Sequence, residues 1–295
     1  MIIAQNIQIE KKKGNTFMPI QLIALDLDGT LFNPEGVISQ ASKEELLRVT
    51  QQGVAITIST GRPLNGIPFA QLEGIPVQYA ITSNGSSIYQ LPERTCLYES
   101  GMTLEEACDV LPFLLERNIS TSAYIEGVGY ISQAEYAKIP QLDVPESIHE
   151  YLLTTRQQVP DLHEFVVKMN KPIQKLTLFF YPDGAGGHQF REDTKEFLKN
   201  FPNLTCMTGG FNNLEITQKK INKGEGLRIL SQQLSIPMED TLAIGDNEND
   251  ISIIEAAGIG VAMGNAEPHV QAQADYVTSS NVEEGVAKAI QKFCP

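Results

Sequence analysis

The sequence predicts an α/β fold, in which a doubly wound parallel sheet carries an inserted α+β domain. Three observations support this fold: short apolar runs end abruptly in polar residues, helix-like stretches separate them, and the middle of the chain lacks this alternation. Such runs are typical of strands buried on both faces of a parallel sheet. Their carboxyl ends meet at one edge, where open α/β folds bind ligands. The runs cover residues 22–25, 54–60, 77–83 and 241–245.

The first helix is predicted between the first two runs, at about residues 40–52. Ser42 and Glu45 have the spacing of a capping box, and Gly53 is a C-terminal stop signal. A strand, a helix and a strand at this spacing form a βαβ unit, which implies parallel strands with a right-handed crossover.

The C-terminal part of the chain continues this alternation. Leu227, Leu230 and Leu234 have helical spacing between residues 224 and 234, and Pro237 follows as a stop. The remaining predicted elements are a short helix ending near residue 257, a strand at 259–263, a short helix at 269–274, a strand at 276–278 and a final helix at 282–293.

The middle of the chain predicts an inserted α+β domain, joined to the rest by crossings near residues 100 and 210. Thr103 and Glu106 form a capping box for a helix over residues 103–117. The other predicted elements are a hairpin at 120–132 with Gly127 and Gly129 in its turn, a strand at 173–181, a helix at 189–200 and a strand at 204–207. The predicted divisions are an N-terminal extension at 1–17, a core at 18–100 and 210–295, and the insertion at 101–209.

Composition restricts the possible partners of this 295-residue chain. Its formal net charge of −14 disfavours nucleic acid and anionic membranes. No apolar stretch approaches the ~20 residues that span a bilayer, and nothing implies an obligate protein partner. The cysteines have no metal-site spacing, so reduced thiols in a cytoplasmic protein are expected. They are Cys96, Cys108, Cys206 and Cys294.

Two carboxylates, Asp26 and Asp28, follow the first apolar run directly. Two ionised acids at the end of a buried strand repel each other unless a proton or a cation lies between them. A hard cation such as Mg²⁺ prefers oxygen ligands of this kind. The alternative is a plain Asp-Gly turn, which explains Gly29 but not the position of the acids at a strand end.

The polar residues at these strand ends are suited to phosphoryl transfer, because this reaction needs positive charge around the phosphate and a positioned nucleophile. Asp26 can supply the nucleophile, and Asp28 can protonate the leaving alkoxide and later deprotonate water. Mg²⁺ held by Asp26 and Asp246 would offset the repulsion between carboxylate and phosphate. Lys223 adds a positive charge, and the Thr60 hydroxyl can donate to a phosphate oxygen.

Structural alternatives stay open for several of these residues. Thr60 can be a plain strand-end hydroxyl, and Lys223 can be a solvated lysine before a helix. The acidic loop at 245–250 can be a helix cap. The pair Asn84-Gly85 can be a hairpin turn or can lie beside a substrate.

Four ordered segments together resemble the motifs of the haloacid dehalogenase (HAD) superfamily. The Asn84-Gly85 pair and the large insertion resemble its Cof-type, subfamily IIB branch of sugar-phosphate phosphatases, which carry a type C2B cap. The resemblance covers about residues 19–293. The four segments are DLDGT at 26–30, STGR at 59–62, NKG at 222–224 and GDNEND at 245–250.

This resemblance implies a Rossmann-like core and a Mg²⁺-dependent phosphatase that acts on small phosphate esters through an aspartyl phosphate. Asp26 would be the nucleophile and a metal ligand, and Asp28 the acid/base whose backbone carbonyl also meets Mg²⁺. The implied metal set is Asp26, Asp28 and Asp246. The implied phosphate-binding set is Leu27, Thr60, Gly61, Lys223 and Asn249. The implied supporting residues are Asp250, Arg62, Asn84 and Gly85.

Other functions compete with hydrolysis. A phosphomutase or phosphotransferase can share the fold but must keep its phosphoenzyme from water. A dehalogenase expels halide and has no use for Asp28. A phospho-accepting signalling module would be phosphorylated on Asp26 without turning over. Steady-state turnover of a phosphate ester separates an enzyme from such a switch.

Overall fold

The computed structural model describes residues 20–184, 186–209 and 212–295. The predicted N-terminal extension, residues 1–17, lies outside the described residues. Within the described ranges, no helix is both long enough and apolar enough to cross a membrane.

The chain forms two sheets flanked by helices. The strands are β1 (Leu22–Leu25), β2 (Ala55–Ser59), β3 (Tyr79–Thr82), β4 (Ser87–Gln90), β5 (Thr95–Glu99), β6 (Ser120–Ile125), β7 (Val128–Ser132), β8 (Arg156–Val159), β9 (Lys175–Phe179), β10 (Leu204–Met207), β11 (Asn213–Gln218), β12 (Thr241–Gly245), β13 (Ile259–Ala262) and β14 (Tyr276–Val277). The helices are α1 (Gln40–Gln51), α2 (Leu104–Glu116), α3 (Gln133–Tyr136), α4 (Glu146–Thr155), α5 (Leu162–Met169), α6 (Arg191–Leu198), α7 (Lys223–Leu234), α8 (Ile251–Ala256), α9 (Pro268–Gln271) and α10 (Gly285–Phe293).

The larger sheet has eight strands in the order β14-β13-β12-β1-β2-β3-β4-β5. The strands from β14 to β3 are parallel, and β4 and β5 extend the sheet antiparallel. Leu25 at the end of β1 pairs with Ile244 on one side and Ile58 on the other. The residues that follow these three strands therefore reach the same edge of the sheet.

Helices cover both faces of this sheet, which confirms the predicted α/β fold. On one face, Ile23 and Leu25 pack in a core that includes Leu46 of α1 and Ile290 of α10. On the other face, residues of β1 pack in a second core with Leu227 and Leu230 of α7 and Ile253 of α8. The complete burial of β1 follows from this double covering, because alternate side chains of a strand point to opposite faces.

The smaller sheet has six strands in the order β10-β11-β9-β6-β7-β8. Its apolar face packs on α2, α5 and α6 through residues such as Val110, Val166 and Leu198. The alternate residues of β9 differ in chemistry: Leu176 and Leu178 belong to this core, whereas Lys175 and Thr177 line a cavity shared with the larger sheet. The sheet includes β11, which lies beyond residue 209, the predicted end of the insertion.

Several local predictions need correction. The N-cap of α1 is Ser39, whose side chain accepts from the Ser42 backbone N–H, so Ser42 lies inside the first turn and caps nothing. Gly129 lies in β7, and the hairpin turns at Glu126 and Gly127. The capping box of Thr103 is confirmed at the start of α2. The elements that the sequence analysis missed are β5, β8, β11, α3, α4 and α5.

The Asn84-Gly85 pair lies in the hairpin turn between β3 and β4, where Thr82 pairs with Ser87. Gly85 has a φ of +100°, and a Cβ at this position would overlap the backbone carbonyl of Asn222, the N-cap of α7. Glycine is therefore required both by the backbone conformation and by the contact with α7.

We expect Gly85→Ala to destabilise the protein more than Gly74→Ala. Gly74 has a similar φ of +82°, but no atom lies within 4 Å of the place that a Cβ would occupy, so its replacement isolates the backbone cost, about 1 kcal/mol. The additional overlap at Gly85 should bring the loss in free energy of unfolding to about 3 kcal/mol. Urea unfolding measures both values, and equal losses would contradict a tight contact between the turn and α7.

Candidate active site

Polar residues from separate strands converge at the carboxyl edge of the eight-stranded sheet. Asp26 follows β1, Thr60 follows β2 and Asn249 lies in the loop after β12. Together with Asp28 and Arg62 they line a cavity of about 840 Å³ between the two sheets. The fold thus brings together residues that are more than 200 positions apart in the sequence.

Lys223 is a buried cation held between two carboxylates. Its ammonium donates to Oδ1 of Asp26 and to Oδ1 of Asp250, each at 2.6 Å, and the residue is 1% exposed. Burial by itself would lower the pKa of Lys223, but the charges of Asp250 and Asp26 outweigh it and raise the pKa above its ordinary value. Lys223 therefore stays protonated, and it is not the solvated lysine that the sequence left as an alternative.

Asp246 lies next to Asp26, and its side chain contacts Thr30 and Gly29. Its Oδ1 accepts from the Thr30 hydroxyl at 2.8 Å, and its carboxylate lies where a Cβ of Gly29 would be, so only glycine fits there. Burial, reinforced by the charge of Asp250, raises the pKa of Asp246 to about 6. Burial also raises the pKa of Asp26 well above its usual range, again with Asp250 contributing.

The acidic residues at this edge suit a divalent cation. Carboxylate oxygens of Asp26, Asp246 and Asp250 lie within 4.8 Å of one another. With Lys223 as their cation, three carboxylates leave a formal excess of two negative charges in a buried place. Oxygen donors and this excess charge match Mg²⁺, so the residues fit the metal.

Within this acidic group Asp250 has a different task from Asp26 and Asp246. Its Oδ1 accepts from Lys223, and its Oδ2 accepts from the backbone N–H groups of Asp246 and Asn247 at 3.1 and 3.0 Å. Both oxygens are therefore engaged in holding the loop after β12 and the lysine. The geometry favours Asp250 as a support for the other two carboxylates.

The Asp28 side chain forms a two-pronged ion pair with Arg62. The Nε–Oδ2 and Nη2–Oδ1 distances are 2.8 and 2.7 Å. Burial opposes the charge of Arg62, but the contact with Asp28 raises the pKa of the guanidinium overall. The other face of Arg62 lies 4.6 Å from the ring centroid of Tyr151, a residue of α4. Arg62 therefore links Asp28 to the smaller sheet's domain.

Thr60 and Asn249 present donors to the cavity. Oγ1 of Thr60 accepts the Arg62 backbone N–H at 3.1 Å, so the hydroxyl proton can still be donated outward. The Asn249 amide donates to Oδ1 of Asn84 at 3.3 Å. The side chain of Leu27 is fully buried in the core, so only its backbone can reach a ligand.

Two charged residues of the smaller sheet reach the site although the sequence analysis did not select them. Lys175 donates to the Gly61 carbonyl at 2.6 Å and to Glu215 at 2.5 Å. The second oxygen of Glu215 accepts from Asn84 at 2.6 Å. Burial lowers the pKa of Lys175, and Glu215 offsets part of this effect. The available sequence signal was a lysine at the start of a mainly apolar strand, because a lysine that is buried there needs a partner.

The sequence of nearly the whole chain matches one family model. Residues 23–290 match the model described as haloacid dehalogenase-like hydrolase. The chain belongs to the haloacid dehalogenase-like hydrolase family. This confirms the superfamily that the four motifs indicated, and the chain is an enzyme of this hydrolase family.

Relatives of this HAD hydrolase match it almost end to end. It is 31% identical to the 5-amino-6-(5-phospho-D-ribitylamino)uracil phosphatase YcsE of Bacillus subtilis, over 93% of this chain and 96% of that protein. It is 30% identical to the pyridoxal phosphate phosphatase YbhA of Escherichia coli, over 92% of this chain and 98% of that protein.

A solved structure places the chain more finely within the superfamily. The HAD subclass IIB sugar phosphatase BT4131 superposes with a TM-score of 0.75 and 26% identity, over 92% of this chain and 98% of that one. This agrees with the Cof-type, subfamily IIB branch that the motifs and the insertion indicated.

We expect Lys223→Met to lower the free energy of unfolding by about 3–5 kcal/mol at neutral pH without added metal. The substitution leaves the Asp26 and Asp250 carboxylates buried without their cation, and removal of one member of a buried ion pair costs about this much. Lys220→Met is the control, because Lys220 is exposed three residues earlier. A similar, small loss in both variants, measured by urea unfolding, would contradict the importance of this ion pair.

Proposed function

We propose that this HAD enzyme is a Mg²⁺-dependent phosphatase that hydrolyses small phosphorylated metabolites, such as sugar phosphates, through an aspartyl phosphate on Asp26. The observation that supports this most is the ion pair of Asp26 with the buried Lys223, at the rim of a cavity and beside Asp246. The phosphatase names of its relatives support the same reaction.

In the first step, a carboxylate oxygen of Asp26 attacks the phosphorus, and the bond from phosphorus to the ester oxygen breaks. Asp28 leaves its two-pronged ion pair with Arg62, takes up a proton from solvent and gives that proton to the departing alkoxide. Asp28 then removes a proton from water, whose oxygen attacks the phosphorus and releases Asp26 and inorganic phosphate.

The phosphate oxygens need donors throughout both steps. We assign the Lys223 ammonium, the Thr60 hydroxyl, the Asn249 amide and the backbone at Leu27 and Gly61 to this task. Asp26 and Asp246 would hold Mg²⁺, with the backbone carbonyl of Asp28 as a further ligand. When bound, Mg²⁺ supplies positive charge that reduces the repulsion between the carboxylate and the phosphate.

The domain formed by the six-stranded sheet would act as a cap that selects the substrate. Its polar face closes the cavity opposite Asp26, and it contacts the core through Lys175 and Glu215. The chemistry would then reside in the core and the recognition of the leaving group in the cap, as in many enzymes with lids. The partner would be a small phosphate ester, and a cytoplasmic location remains the expectation from composition.

Phosphotransfer on the same fold and a non-turnover phospho-accepting module are the remaining alternatives. A transferase would pass the phosphoryl group to a second hydroxyl compound instead of water. A signalling module would take up one equivalent of phosphate and stop. Both differ from a phosphatase in the number of equivalents of inorganic phosphate that each protein molecule releases.

A steady-state assay with p-nitrophenyl phosphate tests the proposed function. We expect many turnovers in the presence of Mg²⁺ and loss of activity after exhaustive chelation. Asp26→Asn should reduce kcat by at least about a thousandfold, because the amide is not a nucleophile, which corresponds to about 4 kcal/mol in barrier height. Asp109→Asn, an exposed change on α2, is the matched control. Release of a single equivalent, or full activity of Asp26→Asn, would refute the proposal.

The acid role of Asp28 predicts a dependence on the leaving group. Asp28→Asn should slow alkyl phosphates more than aryl phosphates, because protonation matters most when the departing oxygen is strongly basic. We expect at least a tenfold difference between the two losses in kcat/KM, measured on glycerol phosphate and p-nitrophenyl phosphate. Equal losses on both esters would instead indicate that Asp28 serves only to hold Arg62.

A further inference from the structure

Arg156, the first residue of β8, is a buried cation in the wall of the catalytic cavity. It is 6% exposed and lines the same cavity as Asp26. Its hydrogen bonds go to neutral hydroxyls: Nε donates to Ser122 at 3.2 Å, Nη1 to Thr155 at 2.9 Å and Nη2 to Tyr124 at 2.6 Å. The rings of Tyr124 and Tyr151 and the more distant charge of Glu215 offset the burial of this guanidinium, but no carboxylate bonds to it directly. Its position at the cavity wall therefore leaves it able to pair with an anion.

The carboxylates around the cavity are engaged elsewhere or exposed. Across the described ranges of the chain, no carboxylate forms an ion pair with it, and the nearby Glu215 is paired with Lys175. The carboxylates of Glu35 and Glu150 also line the cavity, but both residues are exposed to solvent. The buried part of the cap wall therefore carries two cations and one carboxylate, an excess of positive charge in a chain of net charge −14.

The position of Arg156 relative to the catalytic residues follows from Tyr151. The Tyr151 ring centroid lies 4.6 Å from the guanidinium carbon of Arg62 and 5.2 Å from that of Arg156. The two guanidinium carbons are thus at most the sum of these distances apart. Arg62 binds Asp28, so the Tyr151 ring lies between the Asp28–Arg62 pair and Arg156. The body of a small metabolite can bridge this distance.

We infer that Arg156, with the hydroxyls of Tyr124 and Tyr151, binds an anionic group at the far end of the substrate; this deepens and rests on the proposed phosphatase function. The preferred substrates are then phosphate monoesters whose leaving group ends in a carboxylate or in a second phosphate. The planar guanidinium suits both groups, because its N–H donors match two oxygens of either anion. The scissile phosphate lies at Asp26, and the distal anion lies at Arg156.

Three esters with one carbon skeleton separate these chemistries. Mannitol 1-phosphate has a neutral far end, mannonate 6-phosphate carries a carboxylate there, and mannitol 1,6-bisphosphate carries a phosphate. The two phosphates of the bisphosphate are equivalent by symmetry, so its kcat/KM is divided by two because either phosphate can be hydrolysed. For the wild-type enzyme with Mg²⁺ we expect kcat/KM to be about tenfold to a hundredfold higher on at least one anionic ester, the range for a charged hydrogen bond. The anionic ester with the higher kcat/KM shows whether Arg156 binds a carboxylate or a phosphate.

Substitutions of Arg156 test whether this residue causes the preference. Arg156→Gln should bring the ratio of kcat/KM between anionic and neutral esters close to one, and Arg156→Lys, which keeps the charge but not the fork, should give an intermediate ratio. Arg117→Gln is the matched control, because Arg117 stacks on Phe113 in the same domain and does not line the cavity. It should keep the wild-type ratio. If Arg156→Gln does not fold, the ratios of the wild type and of Arg156→Lys decide.

The outcomes distinguish this inference from the function on which it rests. Suppose that the enzyme turns over p-nitrophenyl phosphate. If it then shows equal kcat/KM on the three esters, or turns over none of them, the anion site is overturned and the phosphatase function stands. An unchanged ratio in a folded Arg156→Gln enzyme would also overturn it, since a purely structural arginine lowers activity on all esters alike. Lack of turnover on p-nitrophenyl phosphate as well would overturn the phosphatase and, with it, the anion site.

Discussion

The buried ion pair of Lys223 with Asp26 and Asp250 is the interaction on which the rest of the site depends. It joins the end of β1, the start of α7 and the loop after β12 in one contact. Burial raises the pKa of Asp26, and the charge of Lys223 opposes this effect. Burial by itself would lower the pKa of Lys223, but the two carboxylates outweigh it, so the lysine keeps its charge in a place that water does not reach freely. The tight contact between Gly85 and Asn222 holds the start of α7, and hence Lys223, in position.

The way in which helices cover each sheet explains where its polar residues lie. The parallel sheet is covered by helices on both faces, so its strand ends are the natural place for polar groups, and these ends carry the proposed catalytic residues. Helices α2, α5 and α6 cover one face of the six-stranded sheet, and α4 packs against part of the other face, where its Leu152 shares a core with Phe179. The remaining part of that second face carries Lys175, Thr177 and Glu215, which line the cavity. Lys175 and Glu215 also contact the core.

Much of the core could be predicted from sequence because its signals are local. Apolar runs that stop at Asp26, Gly61 and Asp246 mark strand ends, and parallel strands bring such ends to one edge without any knowledge of the packing. The capping box at Thr103 is likewise contained in four residues. The bounds of α1 were predicted correctly, but its N-cap was assigned to Ser42 instead of Ser39. Both serines are good capping residues, and local sequence does not choose between them.

The cap side of the site could not be predicted because its contacts depend on long-range register. Lys175 meets Glu215 only because β9 pairs with β11 in one particular antiparallel alignment, and no spacing in the sequence reveals this. Strand β11 was itself missed, since polar residues interrupt its apolar ones. Arg156 gave no signal either, because a lone arginine between polar residues is usually a surface residue, and its burial is visible only in the folded chain.

The bond from Lys175 to the Gly61 carbonyl has a consequence for Thr60. The carbonyl of Gly61 and the backbone N–H of Arg62 belong to the same peptide unit, and that N–H donates to the Thr60 hydroxyl oxygen. An ammonium at the carbonyl end polarises the whole peptide, so its N–H becomes a stronger donor. The Thr60 oxygen is thereby fixed as an acceptor and its proton is directed to the cavity. Through a single peptide unit, the charge of a cap residue orients a hydroxyl in the core.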